Sequence, residues 1–155
     1  MNYPLYSDEF FMNEALKEAR KAFDKDEVPI GVVIVLGNII IARGHNMTEN
    51  LNDVTAHAEM IAITSAENYL GSKYLNECTL YVTLEPCLMC ASAMQWARMG
   101  RIVSGTPDPK AGYSLVSGKV LHPKTKVLNG VLNTECSGIL KLFFQKKRKK
   151  SKRSE

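Results

Sequence analysis

A chain of 155 residues, 45 % apolar and 23 % charged, has the size and composition of one domain built round one hydrophobic core. Its most apolar stretch, residues 28–42, is too short to cross a bilayer and is broken by Gly37-Asn38, and residues 1–10 lack the basic and apolar regions of a secretion signal, which argues against a membrane or exported protein. Four cysteines, two of them in Cys-x-x-Cys spacing, do not make a disulfide framework, so a reducing cytoplasm is expected.

The net charge of +4 conceals an asymmetry. Residues 1–97 carry 6 Lys/Arg against 13 Asp/Glu, whereas residues 98–155 carry 14 against 3. The basic half includes Arg98, Arg101, Lys110, Lys119, Lys124, Lys126 and the run Lys146-Lys147-Arg148-Lys149-Lys150. Such polarity suggests a polyanion met by one side of the molecule. For the run from about residue 146 a second reading stays open, a solvated and frayed tail.

In chain order, Ser7 is a cap for a helix running to about residue 25, with Phe11, Ala15, Ala19 and Ala22 on its apolar stripe. Asp26 to Pro29 break it. Residues 31–36 and 39–43 read as β-branched strands joined at Gly37-Asn38 in a hairpin, followed by a polar loop to residue 54. A second helix is expected from Thr55 to about Gly71. Residues 79–84 form a strand apolar on both faces, hence central. Pro86 ends it, and a helix follows over 87–99. Residues 101–105 make a fourth strand, 106–123 an ordered loop with one helical turn, 126–129 a weak fifth strand, and 133–149 a last helix. Helices interleaved with strands predict a three-layer α/β/α fold with a five-stranded mixed sheet.

Two strings carry chemistry. His57-Ala58-Glu59 and Pro86-Cys87-Leu88-Met89-Cys90 supply one imidazole, two thiols and a carboxylate. Three protein ligands leave a fourth coordination place for water, the pattern of a catalytic zinc site, whereas structural zinc is closed by four. His57, Cys87 and Cys90 are the expected ligands. Glu59, two residues from His57, points elsewhere and is the expected proton carrier. Helix starts favour thiolate over thiol, which suits a cation. His45 and His122 read as loop or packing residues, and Cys78 and Cys136 as small core residues; either cysteine completing a fourth ligand would end the enzyme reading.

The same order, His-x-Glu then Pro-Cys-x-x-Cys, is the signature of the zinc nucleobase deaminases. With Glu27-Val28-Pro29-Ile30-Gly31, Gly44-His45-Asn46, Thr55-Ala56, Leu84-Glu85, Asp108-Pro109-Lys110-Ala111-Gly112 and Phe143-Phe144, the chain resembles the bacterial tRNA adenosine deaminases from about residue 11 to 148. That resemblance implies a cytidine-deaminase-like fold, one zinc ion per subunit, a homodimer, and conversion of the wobble adenosine of a tRNA anticodon loop to inosine. It also implies that Asn46 bonds the flipped nucleotide and that Val28, Pro29 and Ile30 wall its pocket. The backbone around Ala56, Leu84 and Glu85 would complete recognition, Asp108 and Lys110 would meet neighbouring nucleotides, and Phe143, Phe144 and the basic run would lie beside the anticodon stem-loop. Three features depart from the family: Val54 replaces a proline, Gln145 a basic residue, and residues 113–122 are short. None is a metal ligand.

Two rivals remain. A deaminase of a free base or nucleotide, of guanine or cytosine type, would use the same zinc, although a free base needs no extended cationic surface. A zinc-stabilised RNA-binding module without turnover would have no use for Glu59.

Overall fold

The computed structural model describes residues 2–154. Its elements in chain order are α1 (Asp8–Asp24), β1 (Gly31–Leu36), β2 (Ile39–His45), α2 (Ala58–Leu70), β3 (Cys78–Leu84), α3 (Leu88–Trp96), β4 (Arg101–Thr106), a 3-10 turn (Tyr113–Leu115), β5 (Lys126–Asn129) and α4 (Asn133–Arg153). The sheet runs β2-β1-β3-β4-β5. β1 pairs antiparallel with both β2 and β3, while β3, β4 and β5 are mutually parallel. The sheet is therefore mixed, as the sequence predicts.

Alternation along the strands divides the core. Val32 and Ile34 of β1 join Leu80, Val82 and Ile102 against Ala62 and Ala66 of α2 and Cys90 and Met94 of α3. Their neighbours Val33 and Val35 join Tyr81 and Val103 on the opposite face, against Phe11, Met12, Ala15 and Leu16 of α1 and Cys136 of α4. The two-residue period of a strand makes both faces of β1 apolar, and each face is roofed by a pair of helices. Three layers result.

The element boundaries differ from expectation in ways that matter for the site. β2 continues through Gly44 and His45, which pair with Val32 and Gly31. Gly44 permits this: a Cβ there would lie 2.5 Å from the carbonyl oxygen of Ala58, so only glycine lets the start of α2 press against the strand. α2 begins at Ala58, not at Thr55, because Ala56 and His57 remain in turn and extended backbone. α3 stops at Trp96, three residues short of the expected end, where Arg98 takes a left-handed conformation (φ 54°). The last helix does not fray near residue 146. It runs to Arg153, with Lys147 paired to Asp26 at 2.6 Å across to the end of α1.

Candidate metal centre and its surroundings

The parallel strands deliver their carboxyl ends to one edge of the molecule, the edge where open α/β sheets bind ligands. β3 ends at Leu84, and three residues later Cys87 is the N-cap of α3. His57 is the N-cap of α2. An N-cap side chain ordinarily turns back to a free N–H of its own helix. Neither does so here: both have extended backbone and turn their side chains towards each other. Nδ1 of His57 lies 3.7 Å from Sγ of Cys87 and 3.5 Å from Sγ of Cys90. All three donor atoms fall within 4.8 Å of one another.

That spacing fits zinc. Bonds of about 2.3 Å to sulfur and about 2.05 Å to nitrogen, opened at the tetrahedral angle, place sulfur and nitrogen about 3.6 Å apart. Proton chemistry fits as well. A hydrogen bond from Cys90 lowers the Cys87 thiol to about 5, aided by the Cys90 and Met89 amides and the charge of His57 and opposed by burial. Cys90, donating to Cys87 and buried, is pushed up instead. One sulfur is thus a thiolate at neutral pH, and a cation would take the second proton's place. No other cluster of this kind occurs among the described residues. Cys78 lies in the core at the far end of β3 and Cys136 is buried in α4, so neither closes the site.

Glu59 sits in the first turn of α2, 3 % exposed. Its Oε1 has no hydrogen-bond partner among the described residues. Burial, the dominant effect, pushes its pKa up to about 7. A buried carboxyl oxygen without a partner is costly, of order 1–3 kcal/mol, and its place beside three metal donors is a functional reason to keep it.

Two loops flank this centre. Asn46, 6 % exposed, donates its backbone N–H to Ile30 at 3.1 Å, and Met47 donates to the carbonyl of Ala56 at 3.0 Å. These bonds join the Asn46 turn to Ile30, which Val28 and Pro29 precede, and to Ala56. On the other side, the buried carboxylate of Glu85 accepts from the Asp108 amide (3.2 Å), the Ser114 amide (3.0 Å) and the Ser114 hydroxyl (2.7 Å). Tyr113 also donates to the Pro86 carbonyl. Gly112 makes this possible, since a Cβ there would lie 2.2 Å from Oε2 of Glu85. The side chain of Glu85, not only its backbone, is what the structure uses, and Ser114 is a participant that no sequence motif marks.

The other expected contact residues sit as follows in the fold. The Ala56 N–H donates to the Asp53 carbonyl and the Ala56 carbonyl accepts from Met47, while the Glu85 N–H donates to the Thr106 carbonyl. Asp108 accepts from the amides of Lys110 and Ala111 and shapes its own turn, leaving Lys110 exposed. Phe143 is buried against Phe23 of α1, with Lys147 over its ring, whereas Phe144 is 44 % exposed. Arg98, Arg101, Lys124 and Lys126 gather round a cleft at the amino ends of β3 to β5, the end away from His57 and Cys87.

Residues 5–106 match the cytidine and deoxycytidylate deaminase zinc-binding region. A tRNA-specific adenosine deaminase of Bacillus subtilis is 47 % identical over 94 % of this chain and 93 % of its own. The chain belongs to this deaminase family. A solved structure from work on A-to-I editing by tRNA:A34 deaminases at the wobble position is 46 % identical, with a TM-score of 0.80 over 84 % of this chain and 99 % of that one. A guanine deaminase of Bacillus subtilis is 38 % identical over 69 % of this chain and 66 % of its own, at a TM-score of 0.61. The deaminase is thus a zinc-dependent hydrolytic enzyme in which His57, Cys87 and Cys90 form the group that fits the ion. No described helix is long and apolar enough to cross a membrane.

Proposed function

We propose that the chain hydrolyses adenosine to inosine, with release of ammonia, at the wobble position of a tRNA anticodon loop, and that it works as a cytoplasmic homodimer. The observation that carries the reading is the buried carboxyl of Glu59, one oxygen without a partner, beside three metal donors, in a chain alike along nearly its whole length to a tRNA-specific adenosine deaminase. Zinc held by His57, Cys87 and Cys90 would supply a Lewis acid that brings the pKa of a water towards neutrality. Glu59 would hold the proton released as water adds to C6 of adenine and pass it to the departing amino group, which leaves as ammonia. Burial, which pushes this carboxyl up from the ordinary range, favours the protonated form that the second transfer needs. The first turn of α2 fixes its backbone two residues from His57, so the carboxyl lies beside the three donors without being one of them.

Asn46 and the Val28–Pro29–Ile30 wall enclose the target nucleotide, Asp108 and Lys110 stand towards its neighbours, and Phe144 with the exposed cations of α4 offers a stacking and phosphate-binding surface for the stem-loop. The test is incubation of the zinc-loaded protein with an anticodon-loop hairpin, full-length tRNA, free adenosine, guanine and cytosine, reading inosine and ammonia. Inosine at the wobble position of the RNAs is the expected result. Ammonia from free guanine or cytosine alone would favour the rival, for which the 38 % identity to a guanine deaminase speaks.

A further inference from the structure

Glu27 opens a motif whose other members line the site, yet the chemical step gives it no task. It is 1 % exposed, and no Lys or Arg among the described residues pairs with it. All of its partners are donors from one short stretch: the Glu49 amide at 3.1 Å, the Asn50 amide at 2.8 Å, the Asn50 side-chain amide at 2.7 Å, and, at the long limit of 3.5 Å, the Thr48 hydroxyl. Burial alone would raise its pKa; the amides of Asn50 and Glu49 outweigh that and hold it below the ordinary range.

Besides this carboxylate the stretch has one further tie to the end of α1, the Asn50 side-chain amide donating to the Lys25 carbonyl at 3.4 Å. Asn50, Asn52 and Thr55 are exposed, Leu51 and Val54 are 55 % and 85 % exposed, and the remaining backbone bonds of residues 51–53 stay inside the loop. The loop begins at Asn46 and returns at Ala56 and His57. Glu27 itself is fixed, since its amide bonds Ala22 at the end of α1 and Val28 follows directly. One carboxylate therefore ties α1, the Val28–Pro29–Ile30 wall and the outer loop into a single unit. The sequence offers only a weak signal for this, a carboxylate just after a helix end, where acids are disfavoured by the dipole.

We propose that Glu27 is a positioning residue for the deaminase: its carboxylate pins residues 48–50 and so sets Asn46 and the Val28–Ile30 wall against the target nucleotide. The inference rests on the RNA reading of the site, and it assigns Glu27 to substrate binding and not to the chemical step. Glu27→Gln places an amide donor against donors. With the zinc-loaded protein and an anticodon-loop hairpin, KM should rise about tenfold, the size of one charge-assisted hydrogen bond, while kcat changes less than about threefold and zinc content is unchanged.

Asn50→Ala removes, from an exposed residue, the 2.7 Å bond to Glu27 and the weaker 3.4 Å bond to the Lys25 carbonyl and leaves the core untouched; KM should rise at least about threefold, the effect of one absent hydrogen bond. Adding Asn50→Asp to Glu27→Gln restores a donor–acceptor pair and should recover part of KM, a rescue that general loss of packing would not give. If Glu27→Gln fails to fold, the Asn50→Ala result decides. Unchanged KM in both variants, a fall in kcat alone, or no rescue in a folded double variant overturns the proposal. Wild type inactive on the hairpin would overturn the RNA reading instead.

Discussion

At the starts of α2 and α3, Glu59 and Cys90 are buried and His57 and Cys87 half-buried, whereas along α4 from Lys149 to Arg153 every basic side chain faces solvent. The first region gains its chemistry from being dry. Burial lifts Glu59 to about 7, and a neighbouring thiol shares its proton unequally with its partner. The second gains its reach from being wet: its side chains lie open to phosphates. Damage to the first should therefore be large, local and indifferent to salt, and damage to the second graded and salt-dependent.

Cys90→Ser strikes the first region hardest. Cys90 is fully buried and its sulfur is 3.5 Å from His57 Nδ1, so the variant should lose its zinc by metal analysis and its activity to background. Retained stoichiometric zinc would show that another residue completes the centre. Glu59→Gln separates metal from proton transfer. Zinc should stay bound while turnover falls by roughly 10²–10⁴, the range for loss of a general acid–base group. Thermal stability should hold or rise, since the substitution removes an unpartnered buried carboxylate. Unaltered turnover would take the proton-carrying role away from Glu59.

The second region yields by degrees. Lys146 lies over the Phe23 ring and Lys147 is paired with Asp26, so both also hold α4 to α1. Replacing Lys149, Lys150, Lys152 and Arg153 with glutamine leaves those two interactions intact. Affinity for tRNA should fall several-fold, and the slope of log K against log salt should flatten by about 0.9 for each phosphate no longer neutralised. Zinc content and activity at saturating RNA should not move. An unchanged slope would mean that the run serves solubility alone.

What the sequence made legible follows the same division. A β-branched run ended by Gly37-Asn38 places β1 at its observed bounds, and the ligand strings need only the starts of two helices to meet, so His57, Cys87 and Cys90 are readable from spacing. What spacing misses is where side chains go when backbone and burial compete for them. His57 reads as a first-turn residue but is a cap, because Ala56 bonds back to Asp53 and Met47. Phe143 and Phe144 read as a pair, yet adjacent helix positions point apart, so one packs on Phe23 while the other stays exposed. The carboxylates of Glu27 and Glu85 serve loops more than twenty residues away, a pairing that no local pattern encodes.

The smallest expected effect lies at the far end of the sheet, where charge is neither catalytic nor free. Asp8, in the first turn of α1, takes both Arg101 guanidinium nitrogens and the Tyr81 hydroxyl at 2.8 Å, tying α1 to β3 and β4. The bond from Arg101, first, and that from Tyr81 hold its pKa below 3.8 against the opposing effect of partial burial. A carboxyl lowered in the folded state stabilises it at every pH above its unfolded value and loses that contribution as pH falls through the folded one. Asp8→Asn should therefore cost about 1 kcal/mol at pH 7, the scale of a partly exposed bidentate pair, with turnover unchanged. The gap between variant and wild type in denaturant melts should stay constant from pH 7 to about 5, narrow below about 4 and close in stronger acid. A gap that persists there would mean that the pair contributes through packing and not through charge.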